Sequence, residues 1–502
     1  MNARKMFRAL AEGLPMEHLS GPEDAEVTGV SCDSRTVEPG HCFVAVEGHA
    51  VDGHEYVGDA IERGAAVVVI RSGRSSVLPE LSRVACFATE DPRHATGILA
   101  RSYRGHPDLH LELVAVTGTN GKTTVSHLVQ WILQGTGRGC GLLGTIEYDT
   151  GKKKQKAPLT TPDPCEFYRL LDEMRRAGLG ACAFEASSHA LDQERIGPAE
   201  IDVAAFTNLS REHLDYHPDL QSYLGAKRRL LERLEGPLRR KDRGHAVVFV
   251  DDPTLAGAPW PDGTVRVGAA PKAEIRLLEA ETGREGSRLR VSVLGEQVDF
   301  STRLLGSFNM ENALMAIACA AVLGVDPPVI RDRLASAPPV CGRMEPVELD
   351  GGPLVLVDYA HTPDGLEKAV TSCRGLCEGR IHVVFGCGGD RDRGKRPLMA
   401  EAVCRSADEI YLTLDNPRTE DPQQIFRDAE AGMREAIAQG RARRIEDRFE
   451  AIAAALAGAG PDDLVLIAGK GHENHQILGT TKHPWDDRAA ARDAWARMEE
   501  KA

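Results

Sequence analysis

Leu111-Glu112-Leu113-Val114-Ala115-Val116-Thr117-Gly118-Thr119-Asn120-Gly121-Lys122-Thr123-Thr124 is the stretch that decides the fold. Leu111 to Val116 reads as a strand, and it runs straight into a glycine turn from which Lys-Thr opens a helix. In such a turn backbone N–H groups point at phosphate oxygens, Lys122 neutralises charge, and the Thr123 hydroxyl can reach a magnesium ion. The usual pattern, G-x-x-x-x-G-K-[ST], wants glycine at position 116, where this chain has Val116. With strand and helix flanking the turn correctly, a phosphate cradle is the expected reading.

Strands continue beyond the cradle at Ala181–Phe184, Val203–Phe206 and Ala246–Val250, with helical patterns between them at Phe167 to Ala177 and Leu220 to Leu234. Strand alternating with helix predicts a parallel sheet. Pro271 to Arg303 alternates polar and apolar residues and predicts a small antiparallel insertion; a helix from about Met310 to Leu323 closes the block before Ala337-Pro338-Pro339. Ahead of the cradle, Val27–Ser31, Cys42–Val46 and Ala65–Ile70 predict a separate α/β unit ending near His106-Pro107. The last block repeats one arrangement four times. Leu354–Val357, Ile381–Phe385, Ile410–Leu414 and Leu464–Ala468 each lead into a loop rich in charge, Gly or Pro. Parallel sheets place ligands beyond the carboxyl ends of their strands, so four such endings predict one site. The expected domains are 1–107, 108–338 and 339–502, in line with a length of 502 residues at roughly 150 per domain.

Composition sets outer bounds. With 61 Lys plus Arg against 75 Asp plus Glu, the formal charge is −14, which argues against generic nucleic-acid binding. An anionic substrate must then be met by local basic residues. No apolar run reaches membrane-spanning length, and no apolar segment follows Arg4, Lys5 and Arg8 as a signal peptide requires. Twelve cysteines lie scattered with no C-x-x-C pair, as expected of free thiols in a cytoplasmic protein.

Individual residues carry open alternatives. Glu185 ends a strand and would hold magnesium directly or through water, or is a strand-end surface carboxylate. His213 or His217 is a metal ligand or a structural loop histidine. Asn309, in Asn309-x-x-Asn312, caps its helix or contacts a nucleotide. Gly386 to Lys395 is a ligand loop or a solvated basic one, and Lys227 by itself reads as a solvated helix lysine.

Taken together, Thr117–Thr124, Glu185-Ala186-Ser187-Ser188-His189, the run Thr207 to His217, Asn309-x-x-Asn312, Asp358-Tyr359-Ala360-His361-Thr362-Pro363-Asp364 and Gly469-Lys470-Gly471-His472-Glu473 resemble the Mur ligase family. Within it they look like the members that add the third peptide residue to UDP-N-acetylmuramoyl-L-alanyl-D-glutamate. The shifted glycine is that family's own variant. The resemblance implies an α/β fold of three domains: an N-terminal UDP-substrate-binding domain, a central P-loop ATPase domain with a parallel sheet, and a C-terminal Rossmann-like domain binding the incoming amino acid. It implies ATP-dependent amide formation through an acyl phosphate, releasing ADP and phosphate, with domain closure accompanying catalysis.

The resemblance also assigns residues. Gly118, Thr119, Asn120, Gly121, Lys122, Thr123 and Thr124 would bind ATP, with Asn309, Arg343, Asp358 and His361 at adenine and ribose. Thr123, Glu185, His213 and Lys227 would hold Mg2+, with Lys227 carbamylated by CO2; Lys122, Glu185, His213 and Lys227 would be the catalytic set. Ser34, His49, Ala50, Val51, Thr160, Thr161, Ser187, Gln193 and Arg195 would hold the UDP-substrate, and Cys32 stands where the family often has a larger apolar residue. Asp415-Asn416-Pro417-Arg418 looks like the signature for meso-diaminopimelate. That amino acid carries a second carboxylate, which a guanidinium grips bidentately, whereas L-lysine has none. Arg391 would add a second positive partner, while Gly469 and Glu473 would receive the distal ammonium. The expected partners are small molecules only, and a monomer is expected.

The lysine-adding alternative and a folylpolyglutamate synthetase are disfavoured by Arg418 and by the His361–Asp364 and Gly469–Glu473 loops. A GTP switch lacks its Asn-Lys-x-Asp box here, and an amidotransferase-linked relative lacks its zinc-ribbon cysteines.

Overall fold

The structure, a computed structural model, describes residues 4–48, 51–74, 84–213, 216–237 and 239–500. The chain forms two compact units. One comprises Met1–Thr117, Leu133–Ala205 and Leu224–Ala246; the other comprises Gly118–Ile132, Phe206–Tyr223 and Val247–Ala502.

In the first unit, a five-stranded sheet has the order Glu17–Ser20, Ala85–Thr89, Val67–Arg71, His41–Val44, Gly29–Ser31. All its pairings are parallel except that of the edge strand Glu17–Ser20. Alternate residues serve opposite faces. Val44, Val67, Val69 and Phe87 pack on one side, and Phe43, Val68, Ile70 and Cys86 on the other. A sheet buried on both faces needs such continuous apolar strands. The same unit carries Ala181–Glu185 between Glu112–Thr117 and Cys140–Leu143, all parallel, with the hairpin Glu147–Asp149 and Lys154–Lys156 at the edge.

In the second unit, Val247 to Phe249, Val265–Gly268 and Ile275–Gly283 are parallel neighbours. Ile275–Gly283, Gly286–Val293 and Glu296–Thr302 then form the expected antiparallel insertion. A six-stranded sheet follows, in the order Glu345–Val347, Leu354–Asp358, Leu464–Ala468, Ile381–Cys387, Glu409–Leu414, Ala442–Arg444. Its first pairing is antiparallel and the rest are parallel. Leu356, Val383, Leu412 and Leu466 face one core, and Val357, Val384, Tyr411 and Ile467 face the other. This order makes the four strands with ligand-type endings direct neighbours, so their loops leave one edge together.

Three helices differ from the sequence reading. Pro164–Arg176 starts earlier than expected because Asp163 caps it: Glu166 N–H donates to Asp163 Oδ1 at 3.1 Å, and Pro164 fills the first position, where no amide donor is needed. The predicted Leu220–Leu234 helix is α-helical over Leu220–Arg228 and continues as a 3-10 turn over Arg229–Arg233, where Arg229 donates to the carbonyls of Leu191 and Asp192. The helix Ser307–Val322 begins before Met310 with Gly306 as its cap residue, so Asn309 lies inside the first turn and the capping role falls away. Among the described residues, no helix is long and apolar enough to cross a membrane.

Candidate active site

The helix Lys122–Gln134 starts directly after the glycine turn, as the cradle requires. The loop is built against the run that follows Val203–Phe206. Thr119 N–H donates to Asn208 O at 2.9 Å and Asn120 N–H to Asn208 Oδ1 at 2.8 Å, while Thr207 Oγ1 donates to Asn120 O at 2.6 Å. Lys122 Nζ donates to the carbonyls of Gly118 (3.0 Å) and Thr119 (2.7 Å), folding its charge over its own loop where phosphates would lie. Gly121 has φ of +86°, and a Cβ there would collide with Asn312 Oδ1. Gly121→Ala is therefore expected to raise the Kd for ATP at least about tenfold, since both the backbone and the space exclude a methyl group. Calorimetric ATP titration of the folded variant checks this.

The third block reaches this loop. Asn120 Nδ2 and Ser210 Oγ both donate to Asp364 Oδ2 at 2.9 Å, and Arg343 Nη2 donates to Thr123 Oγ1 at 3.0 Å. Arg343 also lies over the Tyr359 ring, with its guanidinium carbon 4.6 Å from the centroid, and the rings of His361 and His472 stand 4.5 and 4.8 Å from that centroid. Asp358 accepts from Met344 N–H and Ala360 N–H, each at 2.8 Å, pinning Met344 at a φ of +46°. Burial pushes the Asp358 carboxyl up. Asn309 is fully buried, donating to Leu305 O and accepting from Asn312 Nδ2. His361 is exposed, with Nδ1 2.8 Å from Tyr359 O. His213 has a left-handed backbone, φ +57°, and a half-exposed side chain 3.7 Å from Glu212. His217 is buried between the rings of Tyr216 and Tyr223.

In the first unit, Glu185 is buried at the end of its strand, which removes the surface-carboxylate alternative. Thr145 donates to it twice, N–H to Oε1 at 2.8 Å and Oγ1 to Oε2 at 3.0 Å. Thr160 Oγ1 meets Thr145 Oγ1 at 3.1 Å, and Thr161 Oγ1 donates to the Glu185 carbonyl at 2.8 Å. Ser187 N–H donates to Thr161 Oγ1, and Arg195 donates to both Thr161 O and Gln193 Oε1. Thr160, Thr161, Ser187, Gln193 and Arg195 thus form one network with Glu185. Ser34 is buried and Val51 is exposed, whereas His49 and Ala50 lie outside the described residues. Lys227 is 2% exposed, so the solvated-lysine reading is wrong: Leu220–Arg228 turns this residue inward. A carbamate on its nitrogen would be an anionic oxygen donor. Within this unit, the Glu185 carboxylate and a carbamate on Lys227 would offer oxygen donors of the kind a hard divalent cation takes.

The four adjacent strand ends meet through Asn416. Its Oδ1 accepts from Lys470 Nζ and Ile477 N–H at 2.9 Å each, and its Nδ2 donates to Glu473 Oε2 at 2.9 Å. Lys470 is fully buried and also donates to His475 O. Gly389 N–H donates to Asn416 O, and Gly469 N–H donates to Asp358 O. Gly469, at φ +111°, leaves room for Asp415, whose Oδ2 would be 2.7 Å from an added Cβ. Pro417 is buried and Arg418 has φ of +53°. Arg418 Nη1 donates to Gly389 O at 2.8 Å and Asn416 O at 3.4 Å; among the described residues its Nε and Nη2 make no hydrogen bond. A Cβ at Gly388 would lie 3.2 Å from Arg418 Nη1 and 3.7 Å from Arg391 Cγ, so both arginines flank that glycine. Gly388 and Gly389 are thereby tied to the cluster, while Asp390, Arg391, Asp392, Arg393 and Gly394 are exposed.

Sequence reasoning gave no role to Thr145, Asn208, Asp364, Tyr359, Lys470 or Arg448. Asn208, Asp364, Tyr359 and Lys470 lie inside quoted motifs, which was the available signal. Thr145 and Arg448 carried none.

A strand–loop–helix phosphate cradle beside a second sheet with converging strand-end loops defines a nucleotide-using enzyme of the P-loop ligase type. The chain belongs to the Mur ligase family. Its residues 26–104 match the Mur ligase family catalytic domain, 116–320 the Mur ligase middle domain, and 342–471 the Mur ligase glutamate ligase domain. It is 40% identical to the UDP-N-acetylmuramoyl-L-alanyl-D-glutamate--2,6-diaminopimelate ligase of Geobacter metallireducens, over 98% of each chain. It is 41% identical to the protein of that name from a Synechococcus strain, over 96% of this chain and 97% of the other. A solved structure of a protein of that name covers 94% of this chain and 95% of its own, with a TM-score of 0.67 and 32% identity.

Proposed function

We propose that this chain joins meso-2,6-diaminopimelate to UDP-N-acetylmuramoyl-L-alanyl-D-glutamate at the expense of ATP, acting in the cytoplasm as a monomer. Residues 1–107 would hold the UDP-substrate, 108–338 ATP, and 339–502 the amino acid. The observation that carries the reading is the Asn416 cluster. One carboxylate, Glu473, and one guanidinium with Nε and Nη2 open, Arg418, stand on neighbouring strand-end loops. An amino acid with an ammonium and a carboxylate at its far end matches that pair.

The chemistry needs two anions brought together. A substrate carboxylate attacks the γ-phosphorus of ATP, giving an acyl phosphate and ADP. The amine of the incoming amino acid then attacks the acyl carbon, and phosphate leaves as the amide forms. Lys122 would leave its own loop carbonyls for the phosphate oxygens, stabilising the charge that builds there. Arg343, already on the Thr123 hydroxyl, would join it. Bound Mg2+ would neutralise phosphate charge, held by Thr123, Glu185, His213 and the Lys227 carbamate. Arg195, Gln193, Thr160, Thr161 and Ser187 would orient the UDP-substrate.

ADP formation measured with each substrate omitted tests this. Turnover is expected only when the UDP-dipeptide and diaminopimelate are both present; ATP hydrolysis indifferent to both contradicts a ligase. Lys227→Met is expected to lower kcat about a hundredfold or more, by removing a charge-neutralising ligand. In 13C-bicarbonate the wild-type chain should show a carbamate carbon resonance that the variant lacks.

A further inference from the structure

Two half-buried thiols and a carboxylate that the proposed reaction does not use come together in the first unit. Cys32 follows the strand Gly29–Ser31, while Asp163 and Cys165 sit at the start of the helix Pro164–Arg176. One ligand atom from each of the three lies within 4.8 Å of the other two, and Cys32 Sγ is 3.8 Å from Asp163 Oδ1. We propose that Cys32, Asp163 and Cys165 form a binding site for a soft divalent cation of the zinc class, stapling the Cys32 loop to the start of this helix.

The geometry is close to what such an ion requires. Tetrahedral zinc, with Zn–S near 2.3 Å and Zn–O near 2.0 Å, sets ligand-to-ligand edges of roughly 3.5–3.8 Å. The Cys32–Asp163 edge is nearly there, and the other edges need contraction of at most about 1.3 Å. Two thiolates select zinc over magnesium. Three protein ligands leave a fourth position for water, and the partial exposure of both cysteines gives the ion a way in. Among the described residues, no Lys, Arg or His is ion-paired with Asp163. The contrast is the other three-residue grouping, Glu47, Asp52 and His54, where Arg71 and Arg74 already pair with the carboxylates at 2.7 to 3.3 Å and no cation is needed.

Coordination by both cysteines releases their two thiol protons to solvent and forms two metal–sulfur bonds, with no change of oxidation state. The test uses the full-length, untagged, reduced chain, stripped with chelator and titrated with Cd2+ and then Zn2+. The expected result is one equivalent of Cd2+ bound with a thiolate-to-metal ultraviolet charge-transfer band, its displacement by Zn2+, and a higher melting midpoint with Zn2+. Cys32→Ser and Cys165→Ser should each weaken binding at least about tenfold and remove their share of the band. Asp163→Asn keeps the helix cap, because asparagine caps as well as aspartate, and should also weaken binding. Unchanged circular dichroism would show that the variants remain folded. Absence of a band in the wild-type chain overturns the proposal. So does a band that survives both cysteine substitutions, or a Cys32–Cys165 disulfide recovered from reductant-treated protein without bound metal.

Discussion

Arg418→Lys is expected to lower kcat/KM for meso-diaminopimelate by about two to three orders of magnitude, with the Kd for ATP and for the UDP-dipeptide changed less than about threefold. The guanidinium is anchored through one nitrogen, Nη1, on Gly389 O, which orients the remaining edge as a fork. A lysine ammonium in its place is a point charge that cannot hold the Gly389 carbonyl and both oxygens of a carboxylate in one plane. The left-handed backbone at Arg418, locked by Arg418 N–H donating to Ile477 O and Gly479 N–H donating to Arg418 O, survives the change because those bonds are main-chain. Steady-state kinetics with calorimetric titration of each substrate separates the outcomes. Equal losses for all three substrates would place Arg418 in the fold rather than in amino-acid recognition.

Arg448→Met is expected to destabilise the chain by about 3–5 kcal/mol, the cost of leaving a buried carboxylate without its partner. Arg448 and Asp487 are both fully buried and bonded twice, at 2.7 Å each. The same guanidinium donates to Ala468 O at 3.0 Å and Leu414 O at 3.4 Å, the last residues of two strands whose loops carry Gly469–Glu473 and Asp415–Arg418. Losing it leaves those carbonyls without these donors and loosens the Asn416 cluster. The denaturant midpoint should fall, and KM for diaminopimelate should rise more than KM for ATP. Arg448→Met combined with Asp487→Leu should recover much of the stability, because no charge is then left buried, yet not the KM. A double variant with normal KM would show that the pair serves stability alone.

What the sequence revealed follows from how local each signal is. The cradle at Thr117–Thr124 and the four strand endings are contiguous motifs, and the structure builds both as read. Strand order is not local. That Leu354–Asp358, Leu464–Ala468, Ile381–Cys387 and Glu409–Leu414 are neighbours depends on pairings between segments far apart in the chain, such as Leu354 with Leu464 and Ile381 with Leu464. Lys227 was opaque for the same reason, since its helix shows no periodicity marking the lysine as inward. Ala85–Thr89 escaped notice because Ala, Cys and Ala lack the β-branched bulk that marks strands. Cys32 and Cys165 sit too far apart for any spacing rule to pair them. Asp364 stood in a quoted motif, but its role as acceptor for Asn120 and Ser210 needed the two loops in space.

The central claim is tested most directly by phosphate release from ATP with the UDP-dipeptide and either meso-diaminopimelate or L-lysine, with products identified by mass. Release with diaminopimelate alone, matched by one equivalent of UDP-N-acetylmuramoyl-tripeptide, is the predicted result. Equal or faster release with lysine would leave the cradle and the ligase chemistry standing and contradict the reading of Arg418 and Glu473.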